Sequence, residues 1–213
     1  MIKDKAPEAR VEVLYNAVDV PAENPYTAGG RDLVMFLGRL GERKGTYVLL
    51  DAIRALDSRL APGIRFCLCG DGDVERVREI VAQTGIAHRI AHVGWISGDE
   101  KSRMLSRTMM NVLPSFNEGL PMTILETMAL GIPNISTPVA SIPEVIEDGV
   151  TGMLVPPGDA VALASAIERM AGDARLRQRI SDNSHALILK DFAIEGRADM
   201  LQKCWRRLCR AHR

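Results

Sequence analysis

Apolar positions along the chain follow two rhythms. Short, nearly continuous apolar runs alternate with longer stretches in which apolar residues return every three or four positions. The first rhythm predicts buried strands and the second amphipathic helices. Strands are expected at Val11–Tyr15, Asp32–Leu37, Ile64–Cys69, Arg89–Val93, Met109–Pro114, Asn134–Ser136 and Gly152–Val155. Helices are expected at Lys44–Leu56, Val74–Thr84, Lys101–Arg107, Met122–Leu130, Ala160–Ala171, Ala174–Leu189 and Glu195–Cys209, with a short helical turn over Ser141–Ile146. In the first helix Val48, Leu49, Ala52, Ile53 and Leu56 share one face. Pro21–Arg31, rich in Pro, Gly, Asn and Thr, reads as a loop.

Strands alternating with helices mean βαβ units and a parallel sheet, an α/β fold. Such a sheet binds ligands beyond the carboxyl ends of its strands. The segments that follow each strand therefore matter most. "GRLGERKG" follows Leu37, "GDGD" follows Cys69, "GWIS" follows Val93 and "SFNEGLPMT" follows Pro114. Their glycines allow backbone to approach a ligand closely.

Composition narrows the class. The chain has 213 residues, 46% hydrophobic and 25% charged. That suits one core and a short appendage. Its 27 basic and 27 acidic residues balance, so no whole-chain electrostatic footprint for nucleic acid is present. No apolar run approaches the roughly 18 residues of a membrane-spanning helix. The opening "MIKDKAPEAR" lacks the apolar centre of a signal peptide. Cys67, Cys69, Cys204 and Cys209 fit neither a zinc site nor a disulfide framework, so reduced structural cysteines in a cytoplasmic protein are expected. His88, His92, His185 and His212 show no ligand spacing and read as structural. No metal site and no cofactor are expected. Met104, Met109, Met110, Met122 and Met128 read as core fillers.

Candidate chemistry then collects at one edge. Arg39 and Lys44 offer a planar donor fork and a compact charge, both suited to phosphate oxygens, although a solvated surface pair would look the same. In "NEGLPMT", Gly119 gives a bend and Pro121 fits the first position of a helix. The free amides of that helix start, near Met122 and Thr123, form an anion site. Glu126 lies one turn in, where its carboxylate can accept hydrogen bonds from paired hydroxyls such as those of a ribose. Glu118 precedes the turn and can reach a second set of hydroxyls across a diphosphate. A surface residue on an amphipathic helix is the plain alternative for Glu126, and a charge complementing the helix dipole the plain alternative for Glu118. The run from Leu125 to Leu130 leaves little polar face, which weakens the alternative for Glu126. Gly70-x-Gly72 is a weak nucleotide signal that a tight turn explains equally well.

Taken in order, "FLGRLGERKG", "LCGDGD", "HVGWIS", "PSFNEGLPMTILETMALGIP" and "SIPEVIEDGVTGMLVPPGD" resemble the carboxyl-terminal half of retaining glycosyltransferases of the GT-B fold, in the large family 4 or group 1 type. The resemblance runs from about Val11 to Phe192. It implies a Rossmann-like parallel sheet with helices on both faces, one half of a GT-B fold. Residues 1–10 would be a polar leader or hinge remnant, 11–190 the nucleotide-sugar-binding domain and 191–213 a crossing helix. It implies that Arg39 and Lys44 bind the donor diphosphate, beside Gly38. Glu118 would lie near the donor sugar and Glu126 on the ribose. The amides from Gly119 through Leu120, Pro121 and Met122 to Thr123 would hold phosphate and sugar groups. Trp95 and Ile96 would flank the nucleobase. Glu118, Arg39 and Lys44 would carry catalysis.

The implied function is binding of a UDP- or GDP-sugar as donor substrate for transfer of a hexose to a glycan or lipid-linked acceptor. A missing amino-terminal domain would hold that acceptor, since family members are roughly twice this length. The implied location is cytoplasmic, with peripheral contact to the inner face of the cell membrane as a further expectation. The basic residues Lys203, Arg206, Arg207, Arg210 and Arg213 would meet the missing domain or a membrane, or simply form a solvated face. A non-catalytic nucleotide-sugar-binding or regulatory module and half of a GT-B nucleotide-sugar epimerase are the alternatives. Three departures from the family pattern stand out. Ala17 occupies a common glycine position, Ala140-Ser141 a common glycine pair, and Asn134 a commonly apolar position.

Overall fold

The computed structural model describes residues 14–211, without the side chains of 197–200 and 208–211. Six strands form one wholly parallel sheet: β1 Leu33–Leu37, β2 Arg65–Cys69, β3 Ile90–Gly94, β4 Thr108–Leu113, β5 Asn134–Ser136 and β6 Met153–Leu154. Their order is β3-β2-β1-β4-β5-β6. The helices are α1 Thr46–Leu56, α2 Val74–Gln83, α3 Gly98–Arg107, α4 Met122–Ala129, α5 Ala160–Gly172, α6 Ala174–Asp191 and α7 Ile194–Ala211. A 3-10 turn, Ile142–Glu144, stands in the expected helical turn.

The alternation of side chains along the strands divides the core. Val34, Phe36, Phe66 and Leu68 join Leu49 and Ile53 of α1 and Val77 and Val81 of α2 in the main cluster. Leu33, Met35, Leu37, Cys67 and Cys69 face the other way and are covered by Ile96 and by Met104 and Leu105 of α3. The sheet is thus buried on both faces, which is why its strands read as continuous apolar runs. Burial pushes the Cys67 thiol up to about 11 and that of Cys69 up to about 12, so both are inert structural residues.

Several expectations need adjustment. Residues 11–13 of the first expected strand lie outside the described residues, and Leu14 and Tyr15 have no strand pairing. Tyr15 packs instead against the main apolar cluster and the Phe192 ring, and Val18 forms an isolated bridge with Ala193. Helix α6 runs through Asp191, because no glycine or proline interrupts it after Leu189. Met122 is not a core filler but 37% exposed. His88, His92 and His185 each contact a backbone carbonyl, consistent with structural roles, while His212 lies outside the described residues.

Two of the family departures acquire physical content. Asn134 is fully buried, and its Oδ1 lies 2.7 Å from Asn111 Nδ2 and 3.0 Å from Thr127 Oγ1. This polar network joins β4, β5 and α4. Ala140 is the one non-glycine residue with positive φ among those described, at 48°. A β-carbon is disfavoured in that left-handed region, and glycine is its usual occupant.

Candidate functional site

The strand order reverses between β1 and β4: the chain leaves β1 for β2 on one side and β4 for β5 on the other. The carboxyl ends of this neighbouring pair are where an open α/β sheet forms its ligand crevice. The loop after β1, residues 38–45, and the loop after β4, residues 114–121, meet there. Phe116 N–H donates to Arg43 O at 2.9 Å. Gly45 has φ 73°, and a β-carbon on it would sit 2.0 Å from Pro114 O. Glycine at 45 is therefore what lets the two loops close on each other.

That closure brings Lys44 to Glu118. Lys44 Nζ lies 2.5 Å from Glu118 Oε1, with the two side chains only 16% and 5% exposed. Ser115, fully buried, donates its hydroxyl to the same Oε1 at 2.7 Å. A buried ion pair is a poor stabiliser, since its desolvation cost rivals its Coulomb gain. Its position at the sheet's reversal point suits a binding task better than a structural one.

The loop after β2 zips onto the loop after β1. Leu40 N–H donates to Asp71 O at 2.6 Å, and Asp73 N–H returns to Leu40 O at 3.0 Å. A β-carbon on Gly70 would fall 1.9 Å from Gly38 O, and one on Gly72 2.3 Å from Leu40 O. Close packing of the two loops thus accounts for the Gly-x-Gly pattern. Gly38 N–H donates to Cys69 O in the same zipper. Arg39 stands out from it, 65% exposed, 3.1 Å from Asp71.

Helix α4 begins at Met122, with Pro121 as its cap residue and not, as expected, its first helical residue. Pro121 has an extended ψ of 124°, and its carbonyl accepts from Ile124 and Leu125 at 3.1 and 3.4 Å. The amides of Met122 and Thr123 precede those bonds and carry the positive end of the helix dipole. No side chain caps them from Pro121. Ile124, Leu125, Thr127, Met128 and Ala129 are buried, which leaves Met122, Thr123 and Glu126 as an accessible strip. Gly119 and Leu120 lie in the turn between Glu118 and this helix, Gly119 exposed and accepting from Ser141 N–H at 3.3 Å. Ala140 therefore sits beside the glutamate turn.

Glu126 is 40% exposed and accepts from Lys101 Nζ of α3 at 2.9 Å. Lys101 did not emerge from the sequence as a site residue. A signal was present: it precedes Met104 and Leu105 by three and four positions, so helical periodicity puts it on their stripe. Of the β3–α3 loop, Trp95 is 71% exposed at the edge. Ile96, the second residue expected in the base-flanking loop, turns its side chain inward. Its side chain is 7% exposed and packs under the sheet against the second cluster, so only its backbone remains at the edge.

A separate cleft of about 480 Å³ opens between Tyr15, Glu144, Lys190 and Phe192. Lys190 is the one cation that lines it, beside the carboxylates Glu144 and Asp191, so it lacks the grouped cations of the β1–β4 crevice. Among the described residues no cluster of three or more His, Cys, Asp or Glu could hold a metal ion. Among the same residues no helix is long and apolar enough to cross a membrane.

Residues 31–173 match the family model described as "Glycosyl transferases group 1". The chain is 32% identical over 183 residues to the lipopolysaccharide core biosynthesis glycosyltransferase LpsE of Rhizobium meliloti, covering 85% of this chain and 50% of LpsE. In structure it resembles HepE of Anabaena, solved in complex with UDP and glucose, with a TM-score of 0.78 at 21% identity over 92% of this chain and 56% of that one. It resembles sucrose-phosphate synthase of Thermosynechococcus elongatus with a TM-score of 0.80 at 24% identity, over 98% and 56%. These likenesses identify the fold as the Rossmann-like half of GT-B. The chain spans about half the length of the curated relatives it matches.

Proposed function

The chain belongs to the group 1 glycosyl transferases, and from that premise we propose that its β1–β4 crevice binds a nucleoside-diphosphate sugar as the donor half of a retaining hexosyltransferase. The observation that carries the reading is the convergence of Lys44, Glu118 and Ser115 at the strand-order reversal, beside the uncapped start of α4. A UDP-sugar is the first candidate, since HepE was solved with UDP and glucose.

In the proposed reaction the bond from sugar C1 to the diphosphate breaks, and the diphosphate leaves with the electron pair. A bond from an acceptor hydroxyl oxygen to C1 forms, and that hydroxyl passes its proton to an oxygen of the departing diphosphate. Charge therefore grows on the leaving diphosphate. Lys44, Arg39 and the Met122 and Thr123 amides are fixed positive groups that stabilise it, which is electrostatic catalysis without a required metal. Glu118 faces the sugar and orients Lys44. Glu126 accepts from the ribose hydroxyls, and Trp95 flanks the base. The acceptor, a glycan or lipid-linked sugar, would be held by an amino-terminal domain in a longer protein. Described residues supply one sheet, and transfer needs an acceptor positioned against C1. The enzyme would act in the cytoplasm, at the inner face of the cell membrane where the acceptor is lipid-linked.

Calorimetry of the chain with UDP, GDP and ADP, with and without EDTA, tests the reading. At least one should bind, and EDTA should leave its affinity unchanged. Glu126→Ala should then lose about 10–150-fold in affinity, the equivalent of about 1.5–3 kcal/mol, with its melting temperature nearly unmoved. A folded chain that binds none of the three would sink the proposal.

A further inference from the structure

We propose that Lys101 is a positioning residue for ribose recognition, holding the Glu126 carboxylate in the orientation that reads the sugar hydroxyls. The inference rests on the donor-site reading above and deepens it.

The first observation is the place of Lys101 on its helix. Of the residues of α3, only Lys101, Met104 and Leu105 are partly buried, and the rest are exposed. Met104 and Leu105 pack on the second apolar cluster, together with Ile96 from the loop before the helix. Lysine thus occupies the inward stripe of a helix whose other charges, such as Asp99, Glu100 and Arg103, face solvent. A surface lysine kept for solubility has no reason to sit on that stripe. The apolar anchors fix α3 against the sheet and so fix where the ammonium can reach.

The second observation is its partner. Lys101 Nζ lies 2.9 Å from Glu126 Oε2. Among the described residues no side chain engages the other oxygen, Oε1. One carboxylate oxygen is tethered and the other is left free on the accessible strip with Thr123. A tethered carboxylate loses less side-chain freedom when hydroxyls bind, so more of the interaction appears as affinity. The ammonium also offsets the negative charge of Glu126. Without it, a carboxylate one turn from the helix start would repel the diphosphate that the helix start attracts.

The pairing further links two parts of the site. Helix α3 continues from the loop that carries Trp95 and Ile96, while Glu126 belongs to α4. Lys101 therefore ties the base-flanking loop to the ribose carboxylate across the edge of the sheet.

The test uses the full chain and whichever of UDP, GDP or ADP binds most tightly, with its 2′-deoxy counterpart. Wild type should prefer the ribonucleotide. Lys101→Met should lower ribonucleotide affinity about five-fold, as expected for a partly exposed charge pair. It should also bring the ribo-to-deoxy ratio close to that of Glu126→Gln, while Lys101→Arg keeps most of the preference. Adding Lys101→Met to Glu126→Gln should cost little more. A merely structural lysine would change the melting temperature and not the ratio. If wild type discriminates and Lys101→Met discriminates equally, the inference about Lys101 is overturned and the donor site stands. If wild type binds no nucleoside diphosphate, the donor-site reading itself fails.

Discussion

Lys44 and Glu118, 74 positions apart in the chain, meet through a 2.5 Å contact between side chains that are almost entirely buried. The contact exists because Gly45 allows the loop after β1 to pack on Pro114. Removing one partner leaves a charge buried without compensation, which costs about 3–5 kcal/mol. Lys44→Met should therefore lower the denaturation midpoint markedly, and Lys44→Met with Glu118→Leu should recover much of the loss. Neither variant should retain full nucleotide affinity. Urea unfolding of the single and double variants checks this. Additive losses in stability would show that the two residues do not act as a pair.

The proposed donor site sets Glu118 against the sugar and Glu126 against the ribose, and ligands can separate the two roles. Glu118→Gln should weaken a nucleotide-sugar more than the bare nucleoside diphosphate. The expected difference is about ten-fold, as for one hydrogen bond to a charged group. Competition binding with UDP-glucose and UDP gives the ratio. Equal losses would remove Glu118 from the sugar.

Much of this was legible in the sequence, for reasons that differ by element. Strand β1 is buried on both faces and shows as an unbroken apolar run, while the runs of β2 and β4 are interrupted only by Arg65 at the start of one and by Thr108 and Asn111 in the other. The turn "NEGLP" announced the start of α4 within one residue. The pairing of Lys44 with Glu118 was not legible, because sequence spacing carries no information on which loops a parallel sheet brings together. The inward turn of the Ile96 side chain was hidden for a related reason. Ile96 lies in a loop, where alternation gives no inside or outside, and only the packed structure shows it under the sheet. Lys101 was legible in principle from its helical stripe, but a lysine on a short charged helix reads first as surface.

Ala140 carries a φ of 48° beside the Glu118–Gly119 turn. Glycine would relieve the left-handed strain of about 1–2 kcal/mol, offset partly by a freer unfolded chain. Ala140→Gly should gain about 0.5–1 kcal/mol. Thermal unfolding should show a rise of about 1–4 °C for a domain of this size. A lower midpoint would mean that the backbone here is held differently.

The Asn111–Asn134–Thr127 network is buried and incomplete: Asn111 Oδ1 has no partner among the described residues. Asn134→Val alone would strand the Asn111 amide as well and should cost about 1–3 kcal/mol. Asn111→Val together with Asn134→Val removes the orphaned groups and should cost less than Asn134→Val alone. Denaturant midpoints decide it, and a double variant weaker than either single one would show that the network stabilises the fold as a unit.

The most direct measurement is a crystal structure of the chain with UDP bound in the presence of EDTA. The diphosphate is expected against Arg39, Lys44 and the Met122 and Thr123 amides, the ribose on Glu126 and the base beside Trp95. A well-ordered nucleotide bound elsewhere, for instance in the cleft between Tyr15, Glu144 and Phe192, with the β1–β4 crevice empty, would contradict the account.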